Sequence, residues 1–278
     1  MSWVLVAIAA WLGGWAANIL LVRQTGRVTR LLVPAVFGVS LLAIWEGLVR
    51  GLEVPAVILP APSVISVAFA GNLPVLWADF VQTVIRSVLP GYVMGCGAAF
   101  LMAVAVDRSP FLQRGLLPMG NLAAALPIVG IAPIMVMWFG FDWQSKAAVV
   151  VVMCFFPMLV NTIEGLRMAE PMQRDLMRTY AAGYWQTLWK LRLPAAAPFI
   201  FNGLKICTTL ALIGAIVAEF FGTPIVGMGF RISTEIGRMA LDMVWAEIAV
   251  AAFAGSAFYG CVTLVERTVT HWHPSIRG

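Results

Sequence analysis

The chain has 278 residues, of which 61% are hydrophobic and only 11% charged, and its formal net charge is +5. Because so few charges could not cover the surface of a soluble domain of this length, the composition excludes a soluble protein. The short alternating segments typical of a transmembrane β-barrel do not occur in the sequence. We therefore predict an all-α fold, a polytopic bundle of membrane helices.

Seven apolar segments are each about 20 residues long, which is enough to cross a hydrocarbon core of about 30 Å as an α-helix. The first has no basic residue before it and no small-residue cleavage site, so we interpret it as a retained membrane helix and not a signal peptide. The predicted spans are 3–22, 31–50, 86–106, 118–138, 146–166, 199–221 and 245–265.

The connectors between these spans predict the orientation of the chain, because basic residues accumulate on the cytoplasmic side of membrane proteins. We expect the connectors richest in basic residues, and the C-terminus, to be cytoplasmic. With seven spans the N-terminus lies outside, and it lies inside if the first segment does not span. Alternate connectors hold twelve of the eighteen lysines and arginines: Arg23, Arg27, Arg30, Arg108, Arg114, Arg167, Arg174, Arg178, Lys190, Arg192, Arg267 and Arg277.

A few residues inside the connectors and spans carry further predictions. Ser63 is a plausible N-cap for a short interfacial helix in the long outer connector. Lys205 is expected to snorkel to the cytoplasmic surface. Glu219 either faces a water-filled path through the bundle, or lies at the interface, or hydrogen-bonds to the loop Gly222–Phe230. The fourth span should be broken or kinked by its prolines, either to line a cavity or only for packing: Pro118, Pro127 and Pro133.

The sequence offers no catalytic or metal site. It contains no G-x-x-x-x-G-K-[ST] phosphate loop, no G-x-G-x-x-G after a strand and no H-E-x-x-H motif. His271 and His273 have no further ligands around them, so we interpret them as part of a solvated tail. The cysteines share no metal-ligand spacing and are interpreted as small apolar packing residues: Cys96, Cys154, Cys207 and Cys261.

The basic segment Gln173–Pro194 is a long polar interruption of an otherwise apolar sequence. Its large side chains recur every four residues, which predicts one helical face, and they are Leu176, Tyr180, Tyr184 and Leu188. The segment is predicted to form a helix–turn–helix, in which Gly183 marks a turn or a close approach and Pro194 starts the next membrane helix. Such a segment can lie on the bilayer, dock on its own bundle or insert into a groove of a soluble partner.

The same segment resembles the cytoplasmic loop of binding-protein-dependent ABC importer permeases. Asp175-Leu176-Met177 stand where that family has Glu-Ala-Ala, Ala181 stands at its glycine, and Leu193-Pro194 close the loop as in the family. The resemblance extends from about Leu59 to Arg267, leaving the first span outside it. By this resemblance the residues that couple to an ATPase are Asp175, Leu176, Met177, Arg178, Thr179, Tyr180, Ala181, Ala182, Gly183, Leu193 and Pro194.

The closest resemblance is to nitrate, sulfonate and taurine permeases, through Leu59–Ser63, Trp138–Gly140 and Gly227–Gly229 among other short matches. Gly229–Glu235, Asp242–Ala246 and the Trp272–Pro274 tail look more like permeases for thiamine-pyrimidine precursors or riboflavin. We therefore expect a small N-heterocycle as substrate, with taurine, sulfonate or nitrate as the alternative. Candidate residues of the translocation pathway are Met135, Trp138, Asn161 and Glu219.

The resemblance implies a type I ABC importer permease of the inner membrane, with no enzyme activity of its own. It implies a second permease copy, two cytosolic ATPase subunits that bind ATP and Mg²⁺, and a periplasmic or lipid-anchored binding protein. No cofactor on this chain and no nucleic acid are expected. An ion-coupled secondary transporter and a polytopic membrane enzyme are the rival classes. The predicted organisation is an extra helix with a basic loop (1–30), a helix with an outer connector (31–85), and a core permease domain (86–278) with the coupling loop 167–194.

Overall fold

The computed structural model describes residues 2–23, 26–109, 111–115, 127–222 and 225–272. Those residues form helices and short connectors, and they contain no β-strand. The helices, in chain order, are α1 Ser2–Val22, α2 Arg27–Gly51, α3 Pro62–Gly71, α4 Leu73–Phe80, α5 Leu89–Arg108, α6 Ile128–Phe139, α7 Trp143–Arg167, α8 Pro171–Thr179, α9 Tyr184–Thr187, α10 Leu193–Glu219, α11 Met228–Gly237 and α12 Leu241–Val269.

Six helical stretches among the described residues are long and apolar enough to cross a membrane, and they confirm six of the seven predicted spans. In the fourth, 118–138, the structure describes the helix α6 with Pro127 as its N-cap and Pro133 inside it. The first part of that span, including Pro118, lies outside the described residues. The six stretches are Trp3–Val22, Leu31–Gly51, Leu73–Arg108, Trp143–Arg167, Tyr184–Glu219 and Leu241–Val269.

Two of the helical stretches are longer than the predicted spans. The third begins at Leu73, since a π-helical segment, Val81–Val88, joins α4 to α5. The sixth begins at Tyr184, through a second π-helical segment, Leu188–Arg192. Each π segment is followed directly by Leu-Pro. Proline lacks an N–H and its ring crowds the carbonyl four residues earlier, so the turn ahead of it cannot keep its full set of α-helical bonds.

The chain divides into two compact units, of which the first comprises Met1–Leu76 and Ile232–Ala249. Here α1 and α2 pack as an antiparallel hairpin, and a Cβ at Gly47 would lie 2.8 Å from that of Ala7. The expected N-cap role of Ser63 is wrong, because α3 begins at Pro62 with Ala61 as its N-cap. Ser63 instead hydrogen-bonds to the Glu46 carboxylate through its backbone N–H and its hydroxyl.

The second unit comprises Trp77–Arg231 and Val250–Gly278, and α5, α7 and α10 form its core. Small residues let these helices approach closely, as is usual between membrane helices. A Cβ at Gly91 of α5 would lie 2.7 Å from the Ala147 backbone oxygen of α7. A Cβ at Gly203 of α10 would lie 3.0 Å from that of Asn161 in α7.

Candidate functional site

Helix α8, at the start of the segment Gln173–Pro194, is largely exposed, with Arg174 and Met177 half-buried. Glu170 precedes it as N-cap and Pro171 opens it, which suits a first helical turn because proline has no N–H to satisfy there. It contains no buried residue. Asp175 and Arg178 form an exposed ion pair of 3.2 Å, and the Thr179 hydroxyl donates to the Asp175 carbonyl. The helix is therefore stabilised by its own local bonds.

The turn after α8 contains one residue with a left-handed backbone, and it is not the glycine. Ala181 has a φ of +50°, the left-handed conformation that favours glycine. Gly183 has a φ of −69° and serves as the N-cap of α9, and a Cβ there would meet nothing within 4 Å. The special backbone position is thus Ala181, where the resembling family has its glycine. The helix α8, this turn and α9 confirm the predicted helix–turn–helix, and Gly183 lies at the end of the turn in an ordinary conformation.

The predicted single helical face of the segment is also wrong, because the turn at 180–183 divides it. Leu176 and Tyr180 are exposed on α8 and its C-cap. Tyr184 and Leu188 lie beyond the turn and pack inward, and Leu188 is buried against Leu166 of α7. The segment therefore has an exposed first half and a second half anchored in the bundle.

An ion pair that the sequence does not reveal anchors the second half. Arg192 donates from Nη1 and Nη2 to the two carboxylate oxygens of Asp107, each at 2.6 Å. Arg192 also donates to the Leu166 carbonyl at the end of α7, and the Tyr184 hydroxyl donates to Asp107 at 2.9 Å. Both charged side chains are largely buried. We name Asp107, Tyr184 and Arg192 the anchor; it ties the segment to the ends of α5 and α7.

Leu193 and Pro194 open α10 directly after the anchor, so the segment continues into a membrane helix without a break. Lys205, further along α10, pairs with Glu266 at 2.9 Å, and both side chains are largely buried. The expectation that Lys205 snorkels to the surface is therefore wrong. Its carboxylate partner is on α12, more than sixty residues away in sequence, so sequence spacing could not reveal it.

Glu219, at the other end of α10, belongs to a buried polar network. Its carboxylate accepts from the Thr83 hydroxyl at 2.8 Å and from the Gly229 N–H at 2.7 Å. The loop before α11 is held further by Asp79, which accepts from the Gly227 N–H at 2.6 Å. Of the alternatives for Glu219, the hydrogen bond to the loop Gly222–Phe230 is the one present among the described residues.

The other pathway candidates do not share partners with Glu219. The Asn161 amide donates to the Pro157 carbonyl and accepts from Asn202. Met135 packs against a small apolar cluster of α6, α7 and α10, and Trp138 is exposed. Their role in a pathway stays a prediction.

Comparison with known proteins identifies one family and several relatives. A family model described as "Binding-protein-dependent transport system inner membrane component" matches residues 91–278. A protein named as an aliphatic sulfonates transport permease of Bacillus subtilis is 29% identical over 92% of this chain and 91% of its own. A riboflavin transport system permease protein of Chloroflexus aurantiacus is 28% identical, covering 84% and 88%. A formylaminopyrimidine transport permease protein of Halalkalibacterium halodurans is 27% identical, covering 88% and 98%.

Proposed function

We propose, from the premise that this chain belongs to the binding-protein-dependent transport system inner membrane component family, that its segment Gln173–Pro194 docks a separate cytosolic ATPase. The chain is the permease subunit of an ABC importer. In the proposal, two permease copies form the pathway, two ATPase subunits bind ATP and Mg²⁺, and a binding protein delivers the substrate from the opposite side.

The observation that carries the docking proposal is an apolar stripe on α8 and its C-cap. Met172, Leu176 and Tyr180 are spaced four residues apart, and 81%, 55% and 77% of their surfaces are exposed. Asp175 and Arg178 lie on the same helix and are also exposed. An exposed apolar stripe bordered by charges is typical of a protein interaction site. The high density of basic residues at this end supports a cytosolic location.

In this proposal the anchor connects the docking helix α8 to the membrane helices. A displacement of α8 would act through the turn on Tyr184 and Arg192, and from there on the ends of α5 and α7 and the start of α10. Because the ion pair is bidentate and the side chains are largely buried, the segment and these helix ends move together. Nucleotide-driven closing of the ATPase pair would thus bias a two-state, rigid-body change of the bundle.

The docking proposal is tested by co-purifying the permease with its ATPase. Leu176→Asp places a charge in the stripe, and Arg178→Ala removes an exposed arginine of an i,i+3 ion pair. Both should lower ATPase recovery at least tenfold without lowering the amount of permease in the membrane. Arg238→Ala is the matched control, because Arg238 forms an i,i+3 pair with Glu235 on α11, outside the segment. Normal recovery and normal substrate-stimulated ATP hydrolysis in Leu176→Asp would refute the docking.

For the substrate we propose a small N-heterocycle, either a pyrimidine vitamin precursor or riboflavin. The support is the resemblance of Gly229–Glu235 and Asp242–Ala246 to such permeases and the two relatives named for riboflavin and formylaminopyrimidine. The alternative is an aliphatic sulfonate, supported by the Bacillus subtilis relative. A thermal-shift screen on the partner binding protein distinguishes them. Stabilisation by a sulfonate, taurine or nitrate and by no heterocycle would overturn the preference.

A further inference from the structure

Three cysteines that are far apart in the sequence meet in the core of the second unit. Cys96 of α5, Cys154 of α7 and Cys207 of α10 are all buried, and their Sγ atoms lie within 4.8 Å of one another. The sequence alone indicates separate packing residues, because one cysteine in each of three helices has no recognisable spacing. Their convergence is a property of the packed bundle alone.

From this geometry we propose that Cys96, Cys154 and Cys207 form a binding site for a soft d¹⁰ metal ion, Cu(I), held by three sulfurs. Thiol sulfur is the ligand type that soft ions prefer. With metal–sulfur bonds of about 2.3 Å, a trigonal site has sulfurs about 4.0 Å apart. The observed separations of up to 4.8 Å require each sulfur to shift by well under an ångström, which a change of side-chain torsion supplies.

The surroundings favour three-coordinate Cu(I) over tetrahedral Zn²⁺. The residues packed around the cysteines are mostly aliphatic, and they include Val88, Ala99 and Ala211. The hydroxyl of Tyr92, a polar group of the same cluster, already donates to the Leu204 carbonyl. Among the described residues no histidine or carboxylate joins the three cysteines to complete a structural Zn²⁺ site, whereas the same cluster contains Met158, whose thioether sulfur suits a soft ion.

Metal binding would change the protonation of the three cysteines. Without metal, the Cys154 thiol donates to the Cys207 carbonyl and the Cys207 thiol to the Cys154 carbonyl, so both thiols carry their protons. Thiolate is the form of cysteine that binds metal, so Cu⁺ binding would replace these two hydrogen bonds by metal–sulfur bonds and release the thiol protons to solvent.

Binding would link three helices that the anchor places next to the coupling segment. Since α5, α7 and α10 would then be fixed to one another at Cys96, Cys154 and Cys207, Cu(I) should raise the melting temperature of the permease. In the proposed transport cycle these helices move as one body, so Cu(I) should leave the uptake rate unchanged. Only this second consequence rests on the proposed transport function.

The test measures Cu(I) binding to the purified full-length permease in detergent, under anaerobic conditions, against a chromophoric Cu(I) chelator. The wild type and Cys261→Ala should bind one ion per chain, because Cys261 is exposed and outside the cluster. Cys154→Ala should weaken binding at least a hundredfold. X-ray absorption at the copper edge should show three sulfur neighbours. Melting curves without metal identify any variant that fails to fold, and Cys96→Ser then serves as the second variant.

Several results would overturn the site: equal binding by Cys154→Ala, two sulfur neighbours in place of three, or tighter binding of Zn²⁺ than of Cu(I). Because no ATPase is present in this assay, its failure is distinguishable from a failure of the docking proposal.

Discussion

Arg192 and Asp107 face each other through two parallel hydrogen bonds of 2.6 Å, although 85 residues separate them in the sequence. This pair ties a short polar segment to membrane helices. The exposed half of the segment, α8, contributes no buried residue, so its position relative to the bundle depends on the second half of the segment. The bidentate pair fixes that position at the point where the segment becomes α10.

Asp107→Asn should therefore uncouple the permease. The Arg192 guanidinium would stay largely buried without its full counter-charge, which should lower the free energy of unfolding by about 2–4 kcal/mol. ATP hydrolysis by the docked ATPase should persist while substrate uptake falls, since α8 and its stripe are unchanged. Uptake and hydrolysis measured in the same proteoliposomes check this.

The control is Glu164→Gln, which removes one partner of the exposed Glu164–Arg167 pair near the same helix end. Exposed pairs are worth about 0.5 kcal/mol or less, so this variant should melt like the wild type. Equal melting temperatures and equal uptake for Asp107→Asn and wild type would contradict the role of the anchor.

Ala181→Gly should stabilise the turn after α8. A left-handed backbone costs about 1 kcal/mol for a residue with a Cβ, and glycine adopts it freely. Ala181→Val should have the opposite effect, since branching at Cβ increases the steric cost. Gly183→Ala is the matched control and should be nearly neutral, because its φ is ordinary and the space around it is open. Thermal melting should place the Ala181→Gly variant highest, the wild type and the Gly183→Ala variant together below it, and the Ala181→Val variant lowest.

Thr83→Val should weaken the buried network at the end of α10. The Thr83 hydroxyl donates to Glu219 and accepts from the Met228 N–H at 2.9 Å, so valine leaves two buried groups short of a partner. The expected loss of stability is about 2–3 kcal/mol, and Thr83→Ser, which keeps the hydroxyl, should lose less than half of that. If Glu219 acts only in this network, uptake should fall in proportion to the folded fraction. Reduced uptake by fully folded Glu219→Gln would indicate a role in the pathway instead.

Gly91→Ala should disturb the packing of α5 on α7. The added Cβ would lie 2.6 Å from the Val150 Cβ, which is too close without a shift of one helix. We expect a loss of about 1–3 kcal/mol, as for other overpacked cores. Gly97→Ala on the same helix meets open space and should instead stabilise by about 0.5–1 kcal/mol through its helix propensity. A melt in which both variants shift in the same direction would contradict this packing.

The spans could be predicted because crossing a membrane requires a length of apolar sequence, and six of them are confirmed. The start of the third span could not be predicted, because Asp79, Thr83 and Ser87 are polar residues that the fold buries with hydrogen-bond partners. The basic residues of the segment Gln173–Pro194 show where it lies in the chain. The position of its left-handed turn residue follows from the family resemblance and not from any local pattern. Gly183 is the obvious turn residue by composition, yet the strained backbone belongs to Ala181.

Contacts between different helices of the bundle could not be predicted from the sequence. The Lys205–Glu266 and Asp107–Arg192 pairs and the three-cysteine cluster each join residues on different helices or segments. Periodicity shows which face of a helix is apolar, but it does not show which helices meet. Only the packing of the helices brings these side chains together.

The π-helical segment Val81–Val88 also determines the direction in which side chains at the start of the third span point, relative to those further along it. A π turn takes up one residue more than an α turn, so the polar side chains at its start are rotated about 100° relative to an uninterrupted helix. That rotation lets Asp79 and Thr83 reach Gly227 and Met228 while Tyr92, further along, points into the core. Deletion or insertion of one residue in this segment would rotate either Asp79 and Thr83 or Tyr92 away from their partners. This stretch should therefore tolerate substitution far better than a change in length.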